Sequence, residues 1–74
     1  MDTDQVILIN KIKELRARDG LTQEDLAERV GVTRQTIISI EKGHYVPSLA
    51  LGMLIAHALN VSTDELFTID RKEQ

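Results

Sequence analysis

Apolar residues fall three and four positions apart in successive blocks of this chain, with charged or polar residues between them. That is the repeat of helices that each bury one face. Leu8, Ile12 and Leu15 predict a first helix, among Lys11, Lys13, Glu14 and Arg16, with Gly20 suited to its left-handed C-terminal cap. Thr22 stands at the next N-cap, with Asp25 at the capping-box spacing. The helix it opens places Leu26, Ala27 and Val30 on one side and stops at Gly31. Thr33 caps a third helix, whose apolar positions are Ile37 and Ile40 and whose end is Gly43. Pro47 keeps Val46 out of the helical region, so "HYVP" reads as a loop. Ser48 caps a fourth helix expected to bury Leu51, Leu54, Ile55, Ala58 and Leu59. A second capping box, Ser62 to Glu65, opens a short fifth helix. "VILI" near the start is ambiguous, because its four large apolar residues suit either the opening of the first helix or a short strand.

The expected architecture is all-α, with five short helices in one compact domain spanning 1–74. An apolar extension over 1–9 precedes it and a tail over 70–74 follows. Gly52, inside the fourth helix, predicts close approach by another backbone, that of a second subunit included.

Composition narrows the chemistry. Seventy-four residues with no cysteine leave a small core and neither a disulfide nor a thiolate metal site to reinforce it. His44 and His57 lie far apart with no ligand-type partner one helical turn away, so no metal is expected. No cofactor is expected either. There is no Gly-rich phosphate loop, no cysteine nucleophile and no evident acid–base pair, which argues against an enzyme. The longest largely apolar stretch, "LALGMLIAHAL", is too short to cross a bilayer. "MDTDQ" is acidic and lacks the basic start of a signal peptide. A soluble cytoplasmic protein is the expectation.

The formal charge is −3, yet its distribution is uneven. Residues 11–18 carry Lys11, Lys13, Arg16 and Arg18 against one acid, Glu14, and residues 29–44 carry Arg29, Arg34 and Lys42 against Glu41. The acids gather at Asp2 and Asp4, in "QEDLAE", and toward the C-terminus. A mildly basic face on an acidic body is compatible with nucleic acid, without demanding it.

The junction "TQEDLAERVGVTRQTIISIEKG" is more specific. Two helices joined by a short turn with glycine form the helix-turn-helix unit, whose second helix is able to enter a DNA major groove. Ala27 is small where the helices approach closest, Gly31 takes the sharp turn, and Val32 tucks beneath it. Ile37 and Ile40 pin the second helix, which turns Arg34, Gln35, Thr36 and Ser39 outward.

The same spacing resembles the Cro/phage-repressor, XRE-like helix-turn-helix regulators. The likeness covers residues 10–67 and rests on "IKELRARDGLTQEDLAERVGVTRQTIISIEKG", "VPSL" and "IAHALNVSTDELF" in that order. It implies a five-helix lambda-repressor-like domain that binds double-stranded operator DNA, usually as a dimer. Carried over by position, it puts Arg34, Gln35 and Ser39 against base edges, where Arg suits guanine and Gln suits adenine. Thr36 and Thr33 are within its reach of a thymine methyl or a phosphate, and Gln23, Lys42 and Ser48 fall at phosphate-contact positions. It also implies an ion pair between Arg16 and Glu41. Ile38 departs from the pattern, which favours a polar residue there; a thymine methyl or a packing partner would each account for it. Arg29, Lys11, Lys13 and Arg18 read as surface charges, with one of the last three open to a phosphate contact.

The apolar "QVILIN" and "LFTI" lie at opposite ends of the chain, and the expectation is that they meet, as strands or otherwise, and bury a patch between two subunits. The functional expectation is a sequence-specific DNA-binding regulator of the repressor type. A protein-interaction module on the same fold, an antitoxin-type partner protein included, stands as the alternative.

Overall fold

The computed structural model describes residues 5–71. Strand β1 (Val6–Asn10) leads into helices α1 (Ile12–Asp19), α2 (Gln23–Val30), α3 (Arg34–Glu41), α4 (Leu49–Ala58) and α5 (Thr63–Leu66), and strand β2 (Phe67–Arg71) closes the described chain.

The fold is therefore mostly helical but not strictly all-α. β1 and β2 pair antiparallel, with Val6 opposite Arg71, Leu8 opposite Ile69 and Asn10 opposite Phe67. The two apolar ends thus meet as a ribbon within one subunit. "VILI" takes the extended form because β-branched side chains pack well on a pleated surface and a partner strand is available. That partner lies at the far end of the sequence, beyond the reach of any local periodicity. Leu8 accordingly belongs to β1, and the first helix begins only at Ile12. Asp70 and Arg71, expected in a free tail, are paired residues of β2; Lys72–Gln74 and Met1–Asp4 lie outside the described residues.

The helix starts follow from short polar side chains. The Thr22 hydroxyl accepts from the Asp25 N–H at 2.9 Å while the Asp25 carboxylate accepts from the Thr22 N–H at 2.9 Å, a complete capping box. The Thr22 N–H, with a smaller part from the Thr22 side chain, holds the Asp25 carboxyl below its ordinary range. Ser62 and Glu65 repeat the arrangement for α5, and the hydroxyls of Thr33 and Ser48 accept from Thr36 and Leu51.

Between these caps the apolar faces converge on one core of Ile12, Leu26, Ile37, Ile40, Ile55, Leu59 and Leu66, completed by Ala27, Val30 and Ala56. Burial of each large aliphatic side chain contributes about 1.5–3 kcal/mol, so a chain this short depends on all of them. α2 packs against both α3 and α4.

Helix α4 buries a face rotated from the expected one. Gly52, Ile55, Ala56 and Leu59 point inward, Leu51 and Ala58 flank them half-buried, and Leu54 is 51% exposed. "LALGMLIAHA" is apolar all round, so its sequence contains no polar stripe to mark the outside. Gly52 selects the orientation. A Cβ there would meet Phe67 Cε2 at 3.3 Å, so the close approach is by an aromatic ring of the same chain rather than by another backbone.

Candidate nucleic-acid interface

The α2–turn–α3 unit is built as its residue types require. Gly31 adopts φ 77°, a left-handed conformation open to glycine and strained for other residues. Both the Gly31 and Val32 N–H groups donate to the Ala27 carbonyl, at 2.9 and 3.0 Å, which closes α2 and turns the chain sharply into α3. Val32 packs half-buried against the core. Ile37 and Ile40 are fully buried, so α3 is held by its inner face along its whole length.

The outer face of α3 begins with Arg34 and Gln35, both exposed. Arg34 has no hydrogen-bond or ion-pair partner among the described residues. The Gln35 amide donates to the Ser39 hydroxyl one turn on at 3.4 Å. Thr36 and Ser39 are half-buried at the edges of this face. Thr36 shares a 3.1 Å hydroxyl contact with Thr33, whose own hydroxyl caps the helix. Four side chains able to meet a base edge therefore lie along one short, rigidly seated helix.

The C-terminal end of α3 is fastened by charge. Arg16 Nε donates to Glu41 Oε2 at 2.7 Å and Arg16 Nη2 donates to Oε1 at 3.1 Å, a two-bond pair joining α1 to α3. The side chains are 13% and 9% exposed. Arg16 Nη1 also donates to the Leu21 carbonyl at 3.0 Å, and the Gln23 amide donates to Glu41 Oε1 at 3.3 Å. Gln23 is thereby oriented at the first turn of α2, with its carbonyl oxygen and second N–H left over. Gln23 and Lys42 line one cleft with Arg16 and Glu41. Ile38, half-buried, forms the apolar wall of that same cleft. Ser48 stands apart from it, at the mouth of an apolar groove between α4 and the ribbon.

Two residues acquire roles their sequence context did not assign. The Asn10 side chain accepts from the Ile12 N–H at 3.2 Å and donates to the Ile40 carbonyl at 3.0 Å, tying the start of α1 to the end of α3. Its signal in the sequence is a short amide just ahead of a helix, the residue type that satisfies free N–H groups. Arg18 is engaged rather than free. It donates to Asp19 at 2.8 and 3.0 Å and to the Leu59 carbonyl at 2.7 Å, which satisfies the end of α4. The bond from Arg18 holds the Asp19 carboxyl below its usual range. Among the described residues no group of three or more His, Asp or Glu side chains is placed to hold a metal, and no helix is long and apolar enough to cross a membrane.

A glycine-turned helix pair with a pinned second helix, polar on its free side and flanked by cations, defines a helix-turn-helix DNA-binding domain. The helix-turn-helix family HTH_3, of the XRE type, is matched over residues 12–66, and the chain belongs to it. The uncharacterized HTH-type transcriptional regulator YgzD of Bacillus subtilis is 52% identical over 63 residues, covering 85% of this chain and 96% of that one. Among solved structures, a putative DNA-binding protein from Bacteroides fragilis superposes with a TM-score of 0.76 at 31% identity, over 84% of this chain and 100% of that one. The restriction-modification controller protein C.AhdI from Aeromonas hydrophila superposes with a TM-score of 0.69 at 35% identity, over 73% and 82% of the two chains. The protein is thus a DNA-binding transcriptional regulator of a non-enzymatic family.

Proposed function

We propose that the protein is a cytoplasmic repressor that binds a two-fold operator as a homodimer. Helix α3 enters the major groove, with Arg34, Gln35, Thr36 and Ser39 at base edges. Gln23, Thr33, Lys42 and Ser48 hold the flanking phosphates. The observation that carries this reading is the outer face of α3. Arg34 is exposed without a partner among the described residues, on a helix whose opposite face is immobilised by two buried isoleucines and whose end is fixed by an ion pair. An unpaired guanidinium on a rigid mount is suited to bidentate recognition of guanine.

The apolar surface supports the dimer. Leu49 is 79% exposed, and Met53 and Ile69 stand exposed beside a groove formed by Leu8, Pro47, Gly52 and Phe67. Projecting side chains and a recess on one face are what a two-fold contact between identical surfaces needs. The ribbon made by the two chain ends supplies one wall of that recess.

Selection of bound sequences from random duplex DNA tests the proposal. A pseudo-palindrome is expected, with half-sites centred about 34–36 Å apart or a multiple of that. Repeated with Arg34→Ala, the selection loses its preference at one base pair per half-site, at about 1–3 kcal/mol of discrimination. No enrichment from folded protein at low salt would refute the reading and favour a protein-interaction module.

A further inference from the structure

The cleft shared by Gln23 and Lys42 has a third polar edge that neither helix of the helix-turn-helix supplies. Lys13, exposed on α1, lines it together with Arg16, Ile38, Glu41 and Lys42. We propose that Lys13 is a phosphate-binding residue of the interface, closing with Gln23 and Lys42 a seat for one phosphodiester of the DNA backbone. The proposal rests on the DNA-binding reading above and adds a contact from α1 to it.

Charge supports the assignment. The cleft contains Lys13, Arg16 and Lys42 against the single carboxylate of Glu41, and both oxygens of that carboxylate are taken up by Arg16. Lys13 and Lys42 make no ion pair with any described residue. Two ammonium groups without an ion-pair partner among the described residues therefore line one open recess, where an anion would be attracted by both. The recess, about 260 Å³, is several times the roughly 30 Å³ share of a water molecule in the liquid, so it admits an anionic group together with hydration. Gln23 adds a neutral donor whose direction is already set by Glu41. The position matters as much as the charge. The cleft is bounded by α1, the first turn of α2 and the end of α3, so a phosphate held there flanks the groove that α3 occupies.

Lys11 provides the matched control, since it is exposed and removes the same charge when substituted, yet lies outside the cleft. The experiment measures duplex affinity against salt concentration for the wild type, Lys13→Gln, Lys11→Gln and Lys42→Gln, each checked for an unchanged thermal transition. Lys13→Gln should lower the slope of log K against log[salt] by about 0.9 per half-site, as loss of one phosphate contact does. Lys42→Gln should lower it similarly, and Lys11→Gln should leave it near the wild-type value. Base preferences in the Lys13→Gln protein should be unchanged, because a phosphate contact carries no sequence information. A wild type that binds while Lys13→Gln behaves like Lys11→Gln overturns this assignment alone. A wild type with no salt-dependent duplex binding overturns the DNA-binding reading and this contact with it.

Discussion

Replacing Glu41 with Ala removes the carboxylate that neutralises Arg16 and leaves a guanidinium only 13% exposed, with the Leu21 carbonyl as its remaining acceptor. Breaking a fully buried pair from one side costs about 3–5 kcal/mol, whereas an exposed pair contributes under about 1 kcal/mol. This pair is buried on the side of the core and opens on the other into the cleft beside Lys13 and Lys42, so the expected loss is about 2–3 kcal/mol. At roughly 0.05–0.15 kcal/mol per residue the whole domain is stable by only about 4–11 kcal/mol, so the loss is a large fraction of the total. Thermal and urea unfolding measure it. Each kcal/mol moves the midpoint of a domain this size by about 4–8 °C, which predicts a fall of about 8–24 °C. The double variant Arg16→Met/Glu41→Leu separates pairing from burial. It should recover much of the loss, because apolar replacement of a buried pair is often neutral. A single-variant loss below about 0.5 kcal/mol, or a double variant equal to the sum of its singles, would refute the account of the pair as buried and coupled.

Gly52→Val should destabilise by about 1–3 kcal/mol as overpacking against Phe67, read by urea denaturation; an unchanged midpoint would mean that the ring moves freely. Asp25 is held below its ordinary value of 3.8 by the Thr22 N–H and hydroxyl, so its contribution is full above that pH and lost as the pH falls through the depressed value. The stability difference between wild type and Asp25→Asn should accordingly be constant at neutral pH and shrink only below pH 3.8, in thermal melts run across the acid range. A difference that shrinks nearer pH 6 would assign the effect to another group.

The helix-turn-helix was legible because each of its requirements is local. A cap is a hydroxyl and a carboxylate three residues apart, and a left-handed turn needs glycine, so Thr22, Asp25, Gly31 and Thr33 announce themselves within one or two turns. Ile37 and Ile40 mark the buried side of α3 by spacing alone, and the remaining positions follow as its free face. The resemblance to XRE-like regulators put Arg34, Gln35, Gln23 and Lys42 at expected contact positions; the structure leaves Arg34, Gln35 and Lys42 exposed and sets Gln23 and Lys42 along one cleft. Arg18 and Lys13 were not distinguishable in the same way. Both are cations on one helix, and only the placement of Leu59 and of the cleft shows that Arg18 is engaged while Lys13 is not.

The succession of caps and turns from Gly20 to Leu66, and the free face of α3, follow from interactions within a few residues, which the sequence carries without help; the start of the first helix at Ile12 does not. Tertiary structure decided the rest. "VILI" became a strand because Phe67–Arg71 lies beside it to complete its hydrogen bonds, a choice between two conformations of similar local preference. The largely apolar α4 had no favoured inner face until Phe67 packed over Gly52, where a Cβ would press on the ring at 3.3 Å. Both outcomes depend on contacts between distant parts of the chain, and short-range patterning does not encode which of them closes.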